Sequence, residues 1–404
     1  MTATVPRRTS SSATPASHPA TSYYLLVFAT AILLSVGLGA VLSSSSFDSI
    51  DANNGNPYAI FLVQLAAMVI GLICLMIGSR LAIRTWKLAA PWVLFSSIGL
   101  LVLVVFTGES SGGNRNWIRV GMVTMQPSEI AKLGLALYLG VVLATFRNEL
   151  TSIHRILVPG GLMAALVIGL VLVGKDMGTA LVLVLLTAAA YWVAGLPARF
   201  FVLGGGLALV AVVALINAAD SRTARILAWM SDDCDIQDEC LQTTHGTWAL
   251  ASGGLWGLGP GMSREKWGHL PEADNDFIFG VVGEEYGLLG TLLVLVAYGL
   301  IVVAVMRIVQ RHADPFVQIT AGAIGAWLAG QASINIAVVV GLAPVTGIPL
   351  PLVSSGGSSL IMSLVGIGVL MSFARREPGA REAFAARPSV IRRSLAVMSR
   401  GSRD

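Results

Sequence analysis

Ten apolar runs at or near bilayer-spanning length recur along this chain, and no other feature restricts its fold as severely. They are Tyr24–Leu42, Tyr58–Gly78, Ala89–Phe106, Ile130–Phe146, Ile156–Val173, Thr179–Ala194, Phe200–Ile216, Phe277–Ile308, Phe316–Val340 and Leu360–Phe373. A hydrocarbon core about 30 Å thick takes roughly 17–25 residues of helix. Lipid offers the backbone no hydrogen-bond partner, so helices, which satisfy their own amides, are the natural way for such runs to cross it. The expected fold class is an all-α polytopic membrane protein with about ten transmembrane helices and a large extracytoplasmic loop, Asn217–Asn275, between the seventh and eighth. Charged residues make up 12% of the chain, about half the share of a soluble protein. That excludes a soluble globular fold, and no nucleic-acid partner is expected. The eighth run is too long for one plain span. Its Gly-Glu-Glu-Tyr-Gly interruption predicts a half-buried turn before the helix proper.

Cytoplasmic flanks carry an excess of Lys and Arg. If the helices alternate, Arg7, Arg8, Arg80, Arg84, Lys87, Arg147, Arg155, Arg199, Arg307, Arg311 and the arginines from Arg375 to Arg403 all fall on one side. Both termini are therefore expected in the cytoplasm. Three segments follow: a disordered Ser-, Thr- and Pro-rich tail (residues 1–22), one transmembrane domain (23–375) and a basic tail (376–404) that feels anionic membrane lipid. No signal peptide is expected to be removed. Cys74 lies in the second span, and Cys234 and Cys240 share the large outer loop. A disulfide there is compatible with an oxidising compartment, though spacing alone does not decide it. No metal-ligand spacing accompanies the cysteines.

The polar residues that break the apolar pattern gather on the side opposite the arginines. Asp276 stands where the large loop meets the eighth span, a position suited either to a general base or to a helix N-cap. Arg115, Trp117 and Arg119, in the outer loop Gly108–Ser128, precede Gln126, Pro127, Ser128, Glu129 and Lys132 at the mouth of the fourth span. Glu129 and Lys132 are three apart on one helix face, so an ion pair is expected. Ionisable groups inside a span usually face the protein interior, and this pair either serves chemistry or pins helix packing. Asp176, after Lys175, sits at another outer helix mouth. Glu284 and Glu285 lie deep enough that at least one must find a partner. The final outer loop, GLAPVTGIPLPLVSSGGSSL, brings Pro- and Gly-rich backbone to membrane depth, which requires that it be buried in protein or line a cavity.

Four segments, QPSEIAK, GKDMGTA, LPEADNDFIFGVVGEEYGLLG and NIAVVVGLAPVTGIPLPLVSSGGSS, resemble signatures of the SEDS family of bacterial cell-wall polymerases, in order and across nearly the whole chain. The resemblance implies a peptidoglycan glycosyltransferase that polymerises lipid II into glycan strands beside a class B penicillin-binding protein and other divisome proteins, in the plasma membrane at the division septum. Length and the N-terminal region are more similar to division-type members than to elongation-type ones. Carried over, the family's essential aspartate falls on Asp276, and its other recurrent polar positions on Arg115, Glu129, Lys132, Asp176, Lys266, Glu272 and Ser354.

Two departures are visible. Asp274-Asn275 stands where the family usually has His-Thr or His-Asn, and Ser355 where it often has Tyr. The first sets a second carboxylate beside the expected base, where it would raise that base's pKa or recruit a divalent cation such as Mg or Mn as cofactor. The chemistry implied is inversion at an anomeric carbon, with Asp276 accepting the hydroxyl proton and Arg115, Arg119 or Lys266 neutralising the departing diphosphate. A lipid II flippase is the competing class, and a non-catalytic scaffold the third.

Overall fold

The computed structural model describes residues 20–111, 114–120, 123–147, 157–206, 229 and 240–385. Its elements are α1 (Thr21–Ala52), α2 (Ala59–Arg80), α3 (Ile83–Thr107), β1 (Glu109–Ser111), β2 (Asn114–Val120), β3 (Val123–Met125), α4 (Pro127–Thr145), α5 (Leu162–Val173), α6 (Met177–Ala194), α7 (Leu241–Gly253), α8 (Ile278–Arg311), α9 (Pro315–Val339), α10 (Gly357–Ala374) and α11 (Ala380–Ala385). Among the described residues, eight helices (α1–α4, α6 and α8–α10) are long and apolar enough to cross a membrane, and the chain is a membrane protein. The fifth expected span is shorter, because a π turn at Leu157–Gly161 precedes the twelve-residue α5. Most of the seventh, Phe200–Ile216, lies outside the described residues beyond a helical stretch at 198–206.

The spans bury one face each and leave the rest to lipid. In α2 the exposed Leu62, Val63, Ile70 and Ile77 point outward, while Gly71 and Gly78 admit α10 and Trp86. Small residues at such crossings let backbones approach where lipid supplies no hydrophobic drive between helices. α4 and α10 are the most enclosed spans; α4 carries the buried Glu129 and Lys132, and α9 the buried Gln331 and Asn335.

The eighth span is interrupted where the sequence places the break, but by a buried kink within the helix rather than by a half-buried turn ahead of it. α8 runs for 34 residues with non-helical geometry at Gly287 (φ 65°, ψ −160°), a backbone region essentially reserved for glycine. The break frees helical carbonyls inside the protein, and the glycine-rich segment after α7 fills them. Leu258 N–H donates to the Glu284 carbonyl (2.9 Å) and Gly259 N–H to the Glu285 carbonyl (3.0 Å). A kink at membrane depth survives because neighbouring protein re-satisfies its backbone.

Two features depart from expectation. The segment read as a plain loop before α4 holds a three-stranded antiparallel meander, β1-β2-β3, with Glu109 opposite Trp117 and Arg119 opposite Thr124. Gly112-Gly113 between β1 and β2 is a hairpin signal, and Ile118, Val120, Val123 and Thr124 favour a pleated surface. The basic tail begins folded: after Glu377, α11 sets Phe384 edge-on to Tyr23, with ring centroids 5.3 Å apart. Helix α1 starts at Thr21, inside the segment read as disordered tail. Residues 1–19 and 386–404 lie outside the described residues.

Candidate functional site

The Pro- and Gly-rich segment 341–356 is a plate against which the polar elements of the other spans converge, and it holds the loop that carries Asp276. Residues Pro271–Phe277 form consecutive turns, with Glu272 in the left-handed region (φ 57°) and accepting at its carbonyl from Asn275 and Phe277 N–H. Three successive carbonyls are then clamped from outside. Asp274 O accepts from Ser355 N–H (2.8 Å), Asn275 O from Ser354 Oγ (2.6 Å) and Asp276 O from Asn335 Nδ2 (2.7 Å). Asn335 also donates to Ile348 O (2.7 Å), and Ser354 Oγ accepts from Leu350 N–H (2.7 Å). Gln64 of α2 brackets the plate like a peptide group, donating to Ser354 O (3.0 Å) and accepting from Gly356 N–H (3.1 Å).

The helix N-cap position falls on Phe277 and no side chain caps α8, so the capping alternative for Asp276 does not hold. Its Oδ2 faces Gly347, 3.6 Å from where a Cβ would stand. Gly347 has φ 68°; a side chain there would be strained and would crowd the carboxylate.

Glu129 and Lys132 pair at 2.8 Å, both almost fully buried. Lys132 Nζ also donates to Gln331 Oε1 (2.9 Å) and lies 5.1 Å from the Trp327 ring centroid. Gln331 Nε2 donates onward to Pro349 O (2.8 Å), one residue from the carbonyl that Asn335 holds. The ion pair therefore braces the same plate that clamps the Asp276 loop.

Asp176 is the N-cap of α6. Its carboxylate accepts from Thr179 N–H and Oγ1, Asn116 Nδ2 and Gln126 Nε2, each at 2.9 Å. It thus ties β2 and the start of α4 to α6. Lys266 is buried, and its Nζ donates to Ser43 Oγ (2.6 Å) and Gly261 O (2.6 Å) with Glu285 Oε1 at 3.4 Å; Ser43 donates to Glu285 as well. Both acidic residues of the kink find partners, since Glu284 accepts from Ser263 Oγ (2.5 Å) and Arg264 N–H (2.9 Å). The charges of Asp176 and Lys266 are spent on internal bonds. Arg119 is exposed on β2, and Arg115 shares that strand opposite Ser110. Cys240 is disulfide-bonded and Cys74 is free; Cys234 lies outside the described residues.

Burial, reinforced by Glu272 and then Asp48, pushes the Asp274 carboxyl up from 3.8 to about 6, against a hydrogen bond from Ser355 that lowers it. Sequence reasoning missed Gln64, Gln331 and Asn335. Each is a polar residue inside an apolar run, and that pattern by itself signals an interior partner.

Comparison with known proteins agrees with this geometry. The family profile for cell cycle proteins of the FtsW, RodA and SpoVE type matches residues 24–378. A probable peptidoglycan glycosyltransferase FtsW of Mycobacterium tuberculosis is 37% identical over 364 residues, covering 90% of this chain and 69% of the relative. Stage V sporulation protein E of Bacillus subtilis is 34% identical over 355 residues, 87% of this chain and 96% of its own. Among solved structures, a chain from a peptidoglycan synthase complex superposes with a TM-score of 0.71 at 26% identity, over 88% of this chain and 98% of that one. The rod shape determining protein RodA of Thermus thermophilus gives 0.63 at 27% identity, over 87% and 96%. A match over this length, joined to a shared fold, means that the chain belongs to the FtsW/RodA/SpoVE family of cell cycle proteins.

Proposed function

We propose that this chain is a peptidoglycan glycosyltransferase that polymerises lipid II into glycan strands at the outer face of the bacterial plasma membrane during cell division, with Asp276 as general base. The observation that carries the reading is the Asp276 loop, gripped through three consecutive carbonyls so that its carboxylate keeps one position over Gly347. A base must be held within hydrogen-bond reach of the proton it takes, and a clamp on the backbone fixes the point from which the carboxylate reaches. Relatives named as FtsW peptidoglycan glycosyltransferases support the substrate class and the division role.

In the reaction, the acceptor's 4-hydroxyl oxygen attacks the donor's anomeric carbon. The new C–O bond forms on one face as the bond to the diphosphate breaks on the other, the hydroxyl proton passes to Asp276, and the polyprenyl diphosphate departs. Arg119, and Arg115 in the same strand, suit the charge that grows on the diphosphate. Glu272 and Ser354 shape the loop, while Glu129, Lys132, Asp176 and Lys266 act by positioning the elements around it. An apolar recess of about 300 Å3, lined by Leu250, Phe279, Leu288, Ile336 and Val340, reaches the first turn of α8 at Phe279 and suits the polyprenyl chain.

Among the described residues no three His, Cys, Asp or Glu side chains form a metal-holding group. A divalent cation such as Mg or Mn suits the substrate's diphosphate as a counter-ion. The related chain of a peptidoglycan synthase complex supports a crosslinking partner of the class B penicillin-binding type. Arginine flanks on one face and a disulfide-bonded Cys240 in the opposite loop support cytoplasmic termini.

The test is incubation of the purified protein, with and without such a partner, on lipid II, followed by separation of glycan products. Strands are expected; lipid II translocated across vesicles without strands would favour the flippase instead. The carboxyl of Asp274 adds a pH signature. An ionised Asp274 beside the base opposes ionisation of Asp276, so Asp274→Asn is expected to move the acid limb of the pH–rate profile to lower pH. Folded Asp274 also binds its proton more tightly than in the unfolded chain, so stability falls as pH rises from 3.8 to about 6. The thermal midpoint of Asp274→Asn should accordingly exceed wild type above that range and converge with it below. Superimposable rate profiles would end the coupling idea.

A further inference from the structure

A groove of about 560 Å3 opens between α1, α2 and α10, at the end of the molecule opposite the Asp276 loop. Its walls are apolar, with Leu34, Leu38, Leu72 and Met76 along its length. From Tyr23 to Leu38 it follows α1 for about 22 Å at 1.5 Å per residue, which spans the depth of one leaflet of a core about 30 Å thick. Val27 and Met76 on its rim are 39% and 51% exposed, so the groove is reached from the lipid.

Its mouth is cationic. Arg80, in the last turn of α2, and Arg375, just after α10, both line it, and no carboxylate does. Arg375 is held in place by aromatic faces, its guanidinium carbon 5.1 Å from the Tyr23 ring centroid and 5.7 Å from that of Phe384. Among the described residues no ion pair engages either arginine. A second observation points to a ligand. Thr30 lines the groove, is only 4% exposed, and its Oγ1 has no hydrogen-bond partner. An orphaned hydroxyl in an apolar wall is costly unless something supplies an acceptor.

We propose that this groove binds one phospholipid with a net-negative phosphodiester headgroup, its phosphate between Arg80 and Arg375 and one acyl chain along Thr30, Leu34, Leu72 and Met76. Two unneutralised cations at the interface select an anionic headgroup over a zwitterionic one, whose own ammonium they repel. Volume and apolar lining are those of a ligand pocket, with few polar groups that fix orientation. The site is separate from the glycan-forming loop, and its occupancy is independent of the reaction proposed there.

The experiment measures lipid retention by the full-length protein in native mass spectrometry after extraction from nanodiscs of equal parts phosphatidylglycerol and phosphatidylcholine. Wild type is expected to retain one phosphatidylglycerol in preference by roughly thirtyfold, the effect of two cations at a membrane surface. Arg80→Gln with Arg375→Gln should reduce that preference to about threefold or less. Ala31→Trp, which fills the groove from its exposed rim, should lose the bound lipid while an unchanged thermal midpoint reports an intact fold. Equal retention of both lipids by wild type would overturn the proposal. So would a preference that survives the double substitution, retention undiminished by Ala31→Trp, or selection of a polyprenyl diphosphate over the phospholipid when both are offered.

Discussion

Asp276→Asn is expected to fold and insert as the wild-type chain does and to lose strand synthesis from lipid II by about 10²–10⁴-fold, the usual worth of a positioned general base. The fold should survive because the loop is held through backbone carbonyls, including that of Asp276 itself bonded to Asn335 (2.7 Å), and the substitution keeps them. Asparagine matches the shape of aspartate and cannot accept the hydroxyl proton. The measurement is polymerisation by purified protein with its crosslinking partner, alongside a thermal midpoint in detergent. Synthesis within tenfold of wild type at an unchanged midpoint would remove Asp276 from the role of base.

Lys132→Met carries the largest expected cost in stability. Glu129 is 1% exposed, and removing its cation leaves a buried carboxylate without its charge partner, which costs on the order of 3–5 kcal/mol. The thermal midpoint should fall by roughly 10 °C. Glu129→Gln combined with Lys132→Met replaces the pair by neutral groups of similar volume and should recover most of that loss, since a buried pair often contributes little net stability over a neutral substitute. Activity should stay depressed in the double variant, because Lys132 also orients Gln331, whose other end holds the Pro349 carbonyl of the plate that grips Asp276. If strand synthesis returned together with stability, the pair would be a packing pin and nothing more.

The activity lost in each variant depends on contacts between residues far apart in the chain, Asp276 with Asn335 and Lys132 with Gln331, and here sequence and structure divide the information. A span is legible from sequence because transfer into lipid depends on local composition and length, so α2, α3, α4, α6, α9 and α10 lie close to their apolar runs. The break in α8 was legible too, since Gly-Glu-Glu-Tyr-Gly sets a residue free of steric limits beside two charges that lipid will not hold. The Glu129–Lys132 pair followed from helical spacing alone. The meander ahead of α4 was passed over because a polar, glycine-punctuated segment between spans reads as loop, although its hairpin signal was present.

What only the tertiary structure decided is which neighbours each outer charge meets. Asp176 and Lys266 have the same appearance in sequence as Asp276 and Arg119: polar residues in glycine-rich segments at the outer ends of spans. Sequence does not show the neighbours that other elements supply, Asn116 and Gln126 for Asp176, Ser43 and Glu285 for Lys266. Gln64, Gln331 and Asn335 were visible as polar interruptions of apolar runs, but their common target, the backbone of segment 341–356, was not. Hydropathy reports how each residue partitions between water and lipid. A hydrogen bond between α9 and the Asp276 loop depends on how the helices pack, and local composition carries no record of that.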